Sequence, residues 1–332
     1  MYMEYSGWPS GIAWKRVILD ALPENIQRII DGIPRDIAES LEEIRIREGR
    51  PMIIHSRGKS YYLGADGELF PSPEKAYCVT HRDVQSILQR MSNYSIYAVE
   101  EELRNGYITL RGGYRVGLAG KAVLEGGKIR TLKYISSFNI RISREIIGVA
   151  DKVIRYIVSG AQVRHTLVLS PPQMGKTTLI RDIARLLSDG FPGFKGVKVG
   201  IVDERSEIAG CFQGVPQNNV GLQTDVLDAC PKVEGIMMLI RSMSPAVIIT
   251  DEIGRAEDVE AIEEALNAGI KIITTAHSSD IEDARRRPIL SKVLDKKIFE
   301  RIIVLGKSMG VGTVEKIYDG HTLNNLLDRP VR

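Results

Sequence analysis

The spacing of apolar residues changes along the chain, and the change separates two kinds of predicted structure. Over 17–22 and 26–33, apolar residues recur every three or four positions, which predicts amphipathic helices. A further helix is predicted from Pro34 through Leu41. Over 43–47 the period becomes two, which is typical of a half-buried strand. The first part of the chain therefore combines helices with strands.

Turn signals and alternation extend this mixed pattern well beyond residue 100. Thr80 and Asp83 have the spacing of a capping box, which predicts a helix that starts there. The other predicted elements are strands at 52–55, 60–63, 106–110 and 114–120, a helix at 95–105, and a hairpin of 121–124 and 128–134 around Gly126-Gly127. We expect residues 1–135 to form an α+β domain with an antiparallel sheet, and 136–150 to form a junction.

From residue 165 onward, apolar runs alternate with amphipathic helical segments. Nearly continuous apolar runs are typical of strands that are covered on both faces, and their alternation with helices favours a parallel sheet. The predicted strands are 165–169, 197–203, 246–250, 270–275, 299–305 and 312–318. We therefore expect residues 151–332 to form a doubly wound α/β domain.

The bulk composition is that of an ordinary globular protein. The chain has 332 residues, enough for two domains, of which 43% are hydrophobic and 26% charged. The net charge of +3 does not by itself argue for nucleic acid, although an acidic partner or an anionic membrane surface is compatible with it. Cys78, Cys211 and Cys230 lack the spacing of a disulfide framework or a zinc site, so a reducing cytosol is the simplest setting. We expect no signal peptide and no transmembrane segment.

The first chemical signal lies where the strand at 165–169 meets a helical pattern. The segment Ser170–Thr178 reads SPPQMGKTT, and a strand, a tight loop and a helix are the setting of a nucleotide-phosphate loop. Backbone N–H groups at such a junction lack partners within the helix, and the helix dipole adds positive potential. Gly175 lets the backbone approach a phosphate closely. We expect Lys176 to reach the β- and γ-phosphates and the Thr177 hydroxyl to bind Mg²⁺.

The loop departs from the usual pattern at its start. Ser170 stands where glycine is usual, and neither Pro171 nor Pro172 has an N–H to donate. We therefore expect the amides of 174–178 to bind phosphate, with the prolines stiffening the loop. A turn followed by an ordinary capped helix is the alternative. The residues predicted to contact the nucleotide are Pro172, Gln173, Met174, Gly175, Lys176, Thr177 and Thr178.

Paired carboxylates follow the strand at 246–250. Asp251 is expected to hold Mg²⁺, directly or through water, and Glu252 to polarise the attacking water. An Asp-Glu pair at a strand end can also simply start a loop. The phosphate loop upstream favours the catalytic interpretation.

Two more strands end in polar residues that could serve the same site. In the sequence VDERSE, Asp203 and Glu204 end a strand, and ligands bind at the carboxyl ends of strands in this fold class. Together with Glu207 they could position water, Mg²⁺ or an arginine. His277 ends the sequence TTAH and could sense the γ-phosphate. The alternatives are a solvated strand end with local ion pairs, and a histidine that only satisfies hydrogen bonds.

Arginines supply the remaining candidate chemistry. In ring ATPases an arginine of one subunit stabilises transition-state charge in the neighbouring site, and the candidates here are Arg141, Arg144, Arg241 and Arg255. An intrachain salt bridge is the alternative for each of them. The arginines of 45–57 suggest nucleic-acid binding, but a polar sheet face turned to water is the alternative, because aromatic residues do not interleave with them.

The motifs together resemble a known family. PPQMGKTT, VDERSEIAG, IITDEIGR and TTAH are similar to motifs of the RecA-like ATPases of bacterial secretion and pilus systems. Within that group, EEIRIREGRP and GYRVGLAGKAV resemble the stage III sporulation protein AA family of endospore-forming bacteria. The resemblance covers most of the chain, and Ser170 departs from it.

The resemblance implies an α/β fold, with a RecA-like P-loop ATPase domain preceded by a smaller α+β domain, and it implies ATP and Mg²⁺ as ligands. It also implies a cytoplasmic homohexamer on the mother-cell side, peripheral at the membrane, with inner-membrane proteins of the sporulation channel complex as partners. A nucleic-acid-dependent translocase and a nucleotide-dependent scaffold remain as alternatives. The predicted catalytic residues are Lys176, Glu204, Arg241, Glu252, Arg255 and His277, and the predicted metal ligands are Thr177, Asp203 and Asp251.

Overall fold

Contacts within the chain separate it into two units, Met1–Arg144 and Glu145–Arg332. The computed structural model describes residues 12, 14–95, 99–142 and 144–332. The boundary between the units falls within the predicted junction at 136–150.

The first unit combines short helices with an antiparallel sheet. Its helices are α1 (Trp14–Asp20), α2 (Glu24–Asp31), α3 (Arg35–Ala38), α4 (His81–Met91) and α5 (Glu100–Asn105). Its strands are β1 (Leu41–Arg47), β2 (Ile53–Ser56), β3 (Lys59–Leu63), β4 (Leu69–Phe70), β5 (Tyr107–Leu110), β6 (Tyr114–Glu125) and β7 (Lys128–Arg141). Over the described residues these strands form one sheet in the order β4-β3-β2-β1-β7-β6-β5, with antiparallel pairs.

Strand β1 shows how its alternating sequence produces a core. Ile44 and Ile46 are fully buried and belong to the same apolar cluster as Phe138 of β7. On the other face, Arg45 forms an ion pair with Glu43 and keeps 40% of its side chain exposed. This arrangement is that of a sheet with one buried face and one polar face.

The predicted capping box at the start of α4 is confirmed. The Thr80 hydroxyl accepts a hydrogen bond from the Asp83 amide at 3.2 Å, and the Asp83 carboxylate accepts one from the Thr80 amide at 2.8 Å. These reciprocal bonds satisfy amides that a helix start leaves without partners. The helix therefore begins where the sequence predicts.

Several boundaries in the first unit differ from the predicted ones. The third helix ends at Ala38 rather than Leu41, because Leu41 is the first residue of β1. The strands predicted at 114–120 and 121–124 are one strand, β6, in which Gly120 lies opposite a bulge of β7 at 134–136. A Cβ at Gly120 would lie 2.7 Å from the Lys133 carbonyl oxygen, so only glycine allows this close approach.

The last strand of the first unit extends into the predicted junction at 136–150. Strand β7 continues to Arg141, because its second half pairs with β1 as well as β6. In the helix predicted at 95–105, α5 covers Glu100–Asn105, while 96–98 lie outside the described residues.

The second unit alternates strands and helices. Its helices are α6 (Ile154–Ile157), α7 (Lys176–Asp189), α8 (Lys232–Ser242), α9 (Ala256–Asn267), α10 (Ile281–Arg285) and α11 (Pro288–Asp295). Its strands are β8 (Val158–Ser159), β9 (Gln162–Val163), β10 (Thr166–Ser170), β11 (Gly190–Phe191), β12 (Phe194–Lys195), β13 (Val199–Asp203), β14 (Thr224–Asp228), β15 (Val247–Glu252), β16 (Lys271–His277), β17 (Arg301–Gly306) and β18 (Thr313–Asp319).

The main sheet of the second unit is the predicted parallel sheet. Within the described part of the chain its order is β14-β13-β15-β16-β10-β17-β18, and every pair is parallel except β17 with β18. Alternate residues of one strand enter different cores: Val168 packs with residues of α6 and α7, whereas Leu167 packs with residues of α8 to α11. Helices therefore cover both faces, as in a doubly wound fold.

Strand β14 was not predicted from the sequence. Its residues, TDVLD, include only two apolar side chains, which are adjacent in the sequence, and all five residues are only half-buried. It is an edge strand that pairs in parallel with β13 alone. A short edge strand needs little apolar sequence, so the pattern of apolar runs does not indicate it.

His165 precedes β10 and joins three strands through its backbone and its ring. Its Nδ1 accepts a hydrogen bond from the Ile272 amide at 3.2 Å, and its carbonyl accepts hydrogen bonds from the amides of Glu300 and Arg301. Burial lowers its pKa to about 4, Lys271 adds to the shift, and Glu300 opposes it. The ring is therefore neutral in the folded protein near pH 7.

We expect His165 to make the second unit less stable in mild acid. The unfolded chain binds the proton at a pKa of about 6.5, so stability falls as the pH drops from there to about 4, by about 3 kcal/mol. Urea unfolding as a function of pH measures this. In His165→Asn, which keeps an acceptor for Ile272, that part of the pH dependence should disappear. The exposed His321→Asn is the control, and equal pH profiles for all the proteins would contradict the assignment.

Candidate active site

The carboxyl ends of four neighbouring strands meet at one edge of the second unit's sheet. Strands β13, β15, β16 and β10 are adjacent and parallel, so residues at their ends lie side by side. These ends carry Asp203, then Asp251 and Glu252, then His277, and then Ser170. The structure thus brings together the strand-end residues that the sequence motifs identified.

The loop after β10 turns back on itself before α7 begins. Gln173 and Gly175 have positive φ angles of 62° and 85°, and Gly175 is the N-cap of α7. Lys176 folds over the loop, and its Nζ donates hydrogen bonds to the carbonyl oxygens of Ser170 (3.2 Å) and Pro171 (3.3 Å). Two backbone carbonyls of the loop therefore hold the lysine ammonium against it.

Lys176, His277 and Glu252 form a continuous chain of polar contacts. Lys176 Nζ lies 2.7 Å from His277 Nδ1, and His277 Nε2 lies 3.0 Å from Glu252 Oε2. Because the ammonium can only donate, Nδ1 accepts and Nε2 carries the hydrogen that faces the carboxylate. Burial lowers the pKa of Lys176, and the Glu252 carboxylate opposes this shift. The Lys176 ammonium, which is suited to bind phosphate, and the Glu252 carboxylate, which is suited to orient a water molecule, are thus linked through the imidazole ring of His277.

Asp251 lies in a bulge at the end of β15. Ile249 pairs with Ile273 and Glu252 pairs with Thr275, so β15 has one residue more than β16 over this stretch. Oδ1 of Asp251 is buried without a hydrogen-bond partner among the described residues. Burial raises the pKa of Asp251 to about 6. A buried oxygen with unused acceptor capacity fits a position that a ligand completes.

Thr177 and Asp251 are the residues that could hold Mg²⁺. Within the described ranges, no cluster of three or more His, Cys, Asp or Glu side chains could bind a metal by itself. Mg²⁺ at nucleotide sites usually takes one or two protein oxygens and completes its shell with phosphates and water. The unused Asp251 oxygen and the hydroxyl at the start of α7 fit this pattern.

Asp203 is satisfied by its own loop. Its Oδ1 accepts a hydrogen bond from the Glu207 amide at 2.8 Å, and its Oδ2 accepts from the amides of Ile208 (2.9 Å) and Ala209 (2.8 Å). The side chain is fully buried, and burial raises its pKa while these amides oppose the shift. This geometry supports a role in folding the loop after β13, and metal binding by Asp203 remains a prediction.

Lys232 is the residue of this edge that sequence reasoning missed. It begins α8 and is only 5% exposed, yet its Nζ faces three carboxylates. Oδ1 of Asp251 and Oδ2 of Asp258 are each 3.5 Å away, and Oε2 of Glu204 is 3.9 Å away. The available signal was a lysine at the start of a helix, where the dipole disfavours a cation.

The predicted arginines are not part of this cluster. Arg241 is exposed in the last turn of α8, at the opposite end from Lys232, and Arg255 is exposed just before α9. Arg141 and Arg144 belong to the first unit, where Arg144 donates a hydrogen bond to the Leu41 carbonyl. An action on a neighbouring subunit remains a prediction for all four arginines.

An apolar cavity of about 230 Å³ adjoins the phosphate loop. Gly175, the N-cap of α7, and Leu179 of α7 line it, and Val149, Leu305 and Val311 are among its other walls. Such a cavity beside a phosphate-binding loop suits a flat, largely apolar group such as a nucleobase.

Comparisons with known proteins agree with the fold and the motifs. The family described as "Sporulation stage III, protein AA" matches residues 13–324. Stage III sporulation protein AA of Bacillus subtilis (strain 168) is 48% identical over 91% of this chain and 94% of its own length. The pilus retraction motor PilT, solved with bound ADP, superposes with a TM-score of 0.54 and 18% identity over 81% of this chain and 76% of its own. The ATPase DotB of Legionella pneumophila superposes with a TM-score of 0.51 and 17% identity, over 80% of this chain and 72% of its own.

The fold is therefore that of the RecA-like secretion and pilus ATPases. The chain belongs to the stage III sporulation protein AA family. As for membrane insertion, the described portion of the chain contains no helix with the length and apolar character needed to cross a bilayer.

We expect Asp203→Asn to destabilise the second unit by about 3 kcal/mol, because the amide side chain would turn an N–H toward amides that need acceptors. Urea unfolding measures the loss, with the half-buried Asp225→Asn on β14 as the matched control. If Asp203 instead binds metal, the variant would keep its stability and lose Mg²⁺-dependent nucleotide binding.

Proposed function

We propose that this protein hydrolyses ATP in a Mg²⁺-dependent reaction at the carboxyl edge of the second unit's sheet. The observation that carries the proposal is the contact chain of Lys176, His277 and Glu252, with Asp251 beside it. Membership of the family and the RecA-like ATPase fold support the same conclusion.

In the proposed reaction, Lys176 and the amides at the start of α7 bind the β- and γ-phosphates. When phosphate oxygens attract the Lys176 ammonium, the His277 ring loses Lys176 as a hydrogen-bond partner and can face the γ-phosphate instead. Glu252 accepts a hydrogen bond from the attacking water and aligns it with phosphorus. Thr177 and Asp251 would hold Mg²⁺, which neutralises charge on the phosphate oxygens.

The apolar cavity beside the phosphate loop is the proposed position of the adenine base. Leu179 and Val149 would contact its faces, and Gly175 places the phosphates next to the cavity. In this proposal the polar cluster at the strand ends binds the phosphates, and the cavity binds the adenine base.

We also propose a homohexameric ring in the mother-cell cytoplasm, peripheral at the membrane and acting on inner-membrane proteins of the sporulation channel complex. The family relationship and the likeness to a pilus retraction motor support this proposal. The exposed Arg241 and Arg255 are suited to act on the nucleotide of a neighbouring subunit.

We expect Glu252→Gln to lower the ATP turnover number by roughly 10²–10⁴-fold while ATP still binds, because only the activation of water is lost. Lys176→Ala should lose both turnover and nucleotide affinity, because the phosphate partner is gone. Phosphate release, binding of a fluorescent ATP analogue, and the mass of the protein with and without ATP test the site and the ring together.

Glu257→Gln and Lys195→Ala remove the same charges from exposed positions and should leave turnover unchanged. Normal hydrolysis by both site variants would refute the proposal. Stimulation by single-stranded DNA or RNA that weakens with added salt would instead favour a translocase. A scaffold would need Lys176 but function normally in cells with Glu252→Gln.

A further inference from the structure

The bulged end of β15 leaves two backbone carbonyls that side chains must satisfy. At the bulge the regular pairing with β16 is interrupted between Ile249 and Glu252. The Thr274 hydroxyl donates a hydrogen bond to the Asp251 carbonyl at 2.5 Å. The Lys232 ammonium donates one to the Glu252 carbonyl. The two residues to which we assign metal binding and water activation are therefore held through their backbone from neighbouring elements.

Lys232 also connects this strand end to three other segments. It extends from the first turn of α8 and faces Glu204 of the loop after β13 as well as Asp251. It contacts Asp258, whose Oδ2 accepts hydrogen bonds from the amides of Gly254 (2.9 Å) and Arg255 (3.0 Å). One buried ammonium thus fixes the path of the chain on both sides of Glu252.

The groups around Lys232 hold its ammonium in one position. At 5% exposure the ammonium has little access to water, and it needs the three carboxylates and the carbonyl as its partners. It makes an ionic contact with Asp251 Oδ1 at 3.5 Å without occupying that oxygen by a hydrogen bond. Asp251 is therefore oriented while one of its oxygens stays available.

We propose that Lys232 is a positioning residue for ATP hydrolysis, which holds the bulged end of β15 so that Asp251 and Glu252 keep their orientation. The inference rests on the proposed ATPase function and adds a residue that acts through the backbone of Glu252 and the side chain of Asp251. The phosphate loop has its own contacts through Lys176, so the loss of Lys232 affects turnover rather than nucleotide binding.

The test is a cycle of variants: Lys232→Met, Asp258→Asn and the double variant. We expect Lys232→Met to lower Tm by roughly 5–15 °C, because it leaves carboxylates unpaired in the interior. The double variant removes one of these carboxylates and should recover a large part of that loss. In both proteins kcat should stay roughly 10²-fold below wild type, because the Glu252 carbonyl still lacks its donor.

The affinity for a fluorescent ATP analogue in EDTA should change less than about twofold in either variant, because metal-free binding depends on the phosphate loop. Lys271→Met is the matched control, since Lys271 also forms a lysine–glutamate ion pair, 3.1 Å from Glu300, at the amino-terminal end of β16. It should retain wild-type kcat.

Recovery of kcat together with Tm in the double variant would show a merely structural role and overturn the inference. Wild-type turnover in a folded Lys232→Met protein would overturn it as well. If Lys232→Met does not fold, the double variant is compared with Asp258→Asn alone: a lower kcat in the double variant supports the inference, and an equal kcat overturns it. An inactive wild-type protein would instead refute the ATPase proposal itself, and the inference with it.

Discussion

A charge removed from water must find a partner, and this constraint organises the carboxyl edge of the second unit's sheet. Carboxylates of β13 and β15 lie at this edge, and each of them has a different partner. Asp203 accepts three backbone amides, Glu252 faces His277, and Asp251 faces Lys232. Apolar packing supplies the rigid sheet beneath them, whereas ionic and hydrogen-bond partners decide where each carboxylate points. A ligand that brings its own charge can therefore exchange partners at this edge without disturbing the core.

Much of the fold could be predicted because it follows from short-range patterns. The buried strands around Val168 and Ile249 are continuous apolar runs, and the capping box at Thr80 is a local motif with a known geometry. The convergence of Ser170, Asp251 and His277 also follows from sequence, since adjacent parallel strands end at the same edge. Periodicity and strand ends together were enough to locate the candidate site.

The features that sequence reasoning missed depend on contacts between distant segments. Lys232 lies in an amphipathic helix like many other lysines, and only the folded chain shows that it faces Asp251 and Asp258. The length of β7 depends on its pairing with β1, almost a hundred positions earlier in the chain. The bulge in β15 likewise has no signature of its own, because it reflects the register against β16. Tertiary pairing, rather than local preference, set these features.

The position of β10 in its sheet has a consequence for how the protein is made. Strand β10 pairs with β16 and β17, and His277 follows Lys176 by 101 residues. Synthesis from the amino terminus therefore produces the phosphate loop long before either flanking strand leaves the ribosome. Bringing β10 together with strands so distant in sequence is costly in entropy, and this cost is compensated only when both β16 and β17 are present. The phosphate loop therefore acquires a fixed shape only after the last third of the second unit has been synthesised.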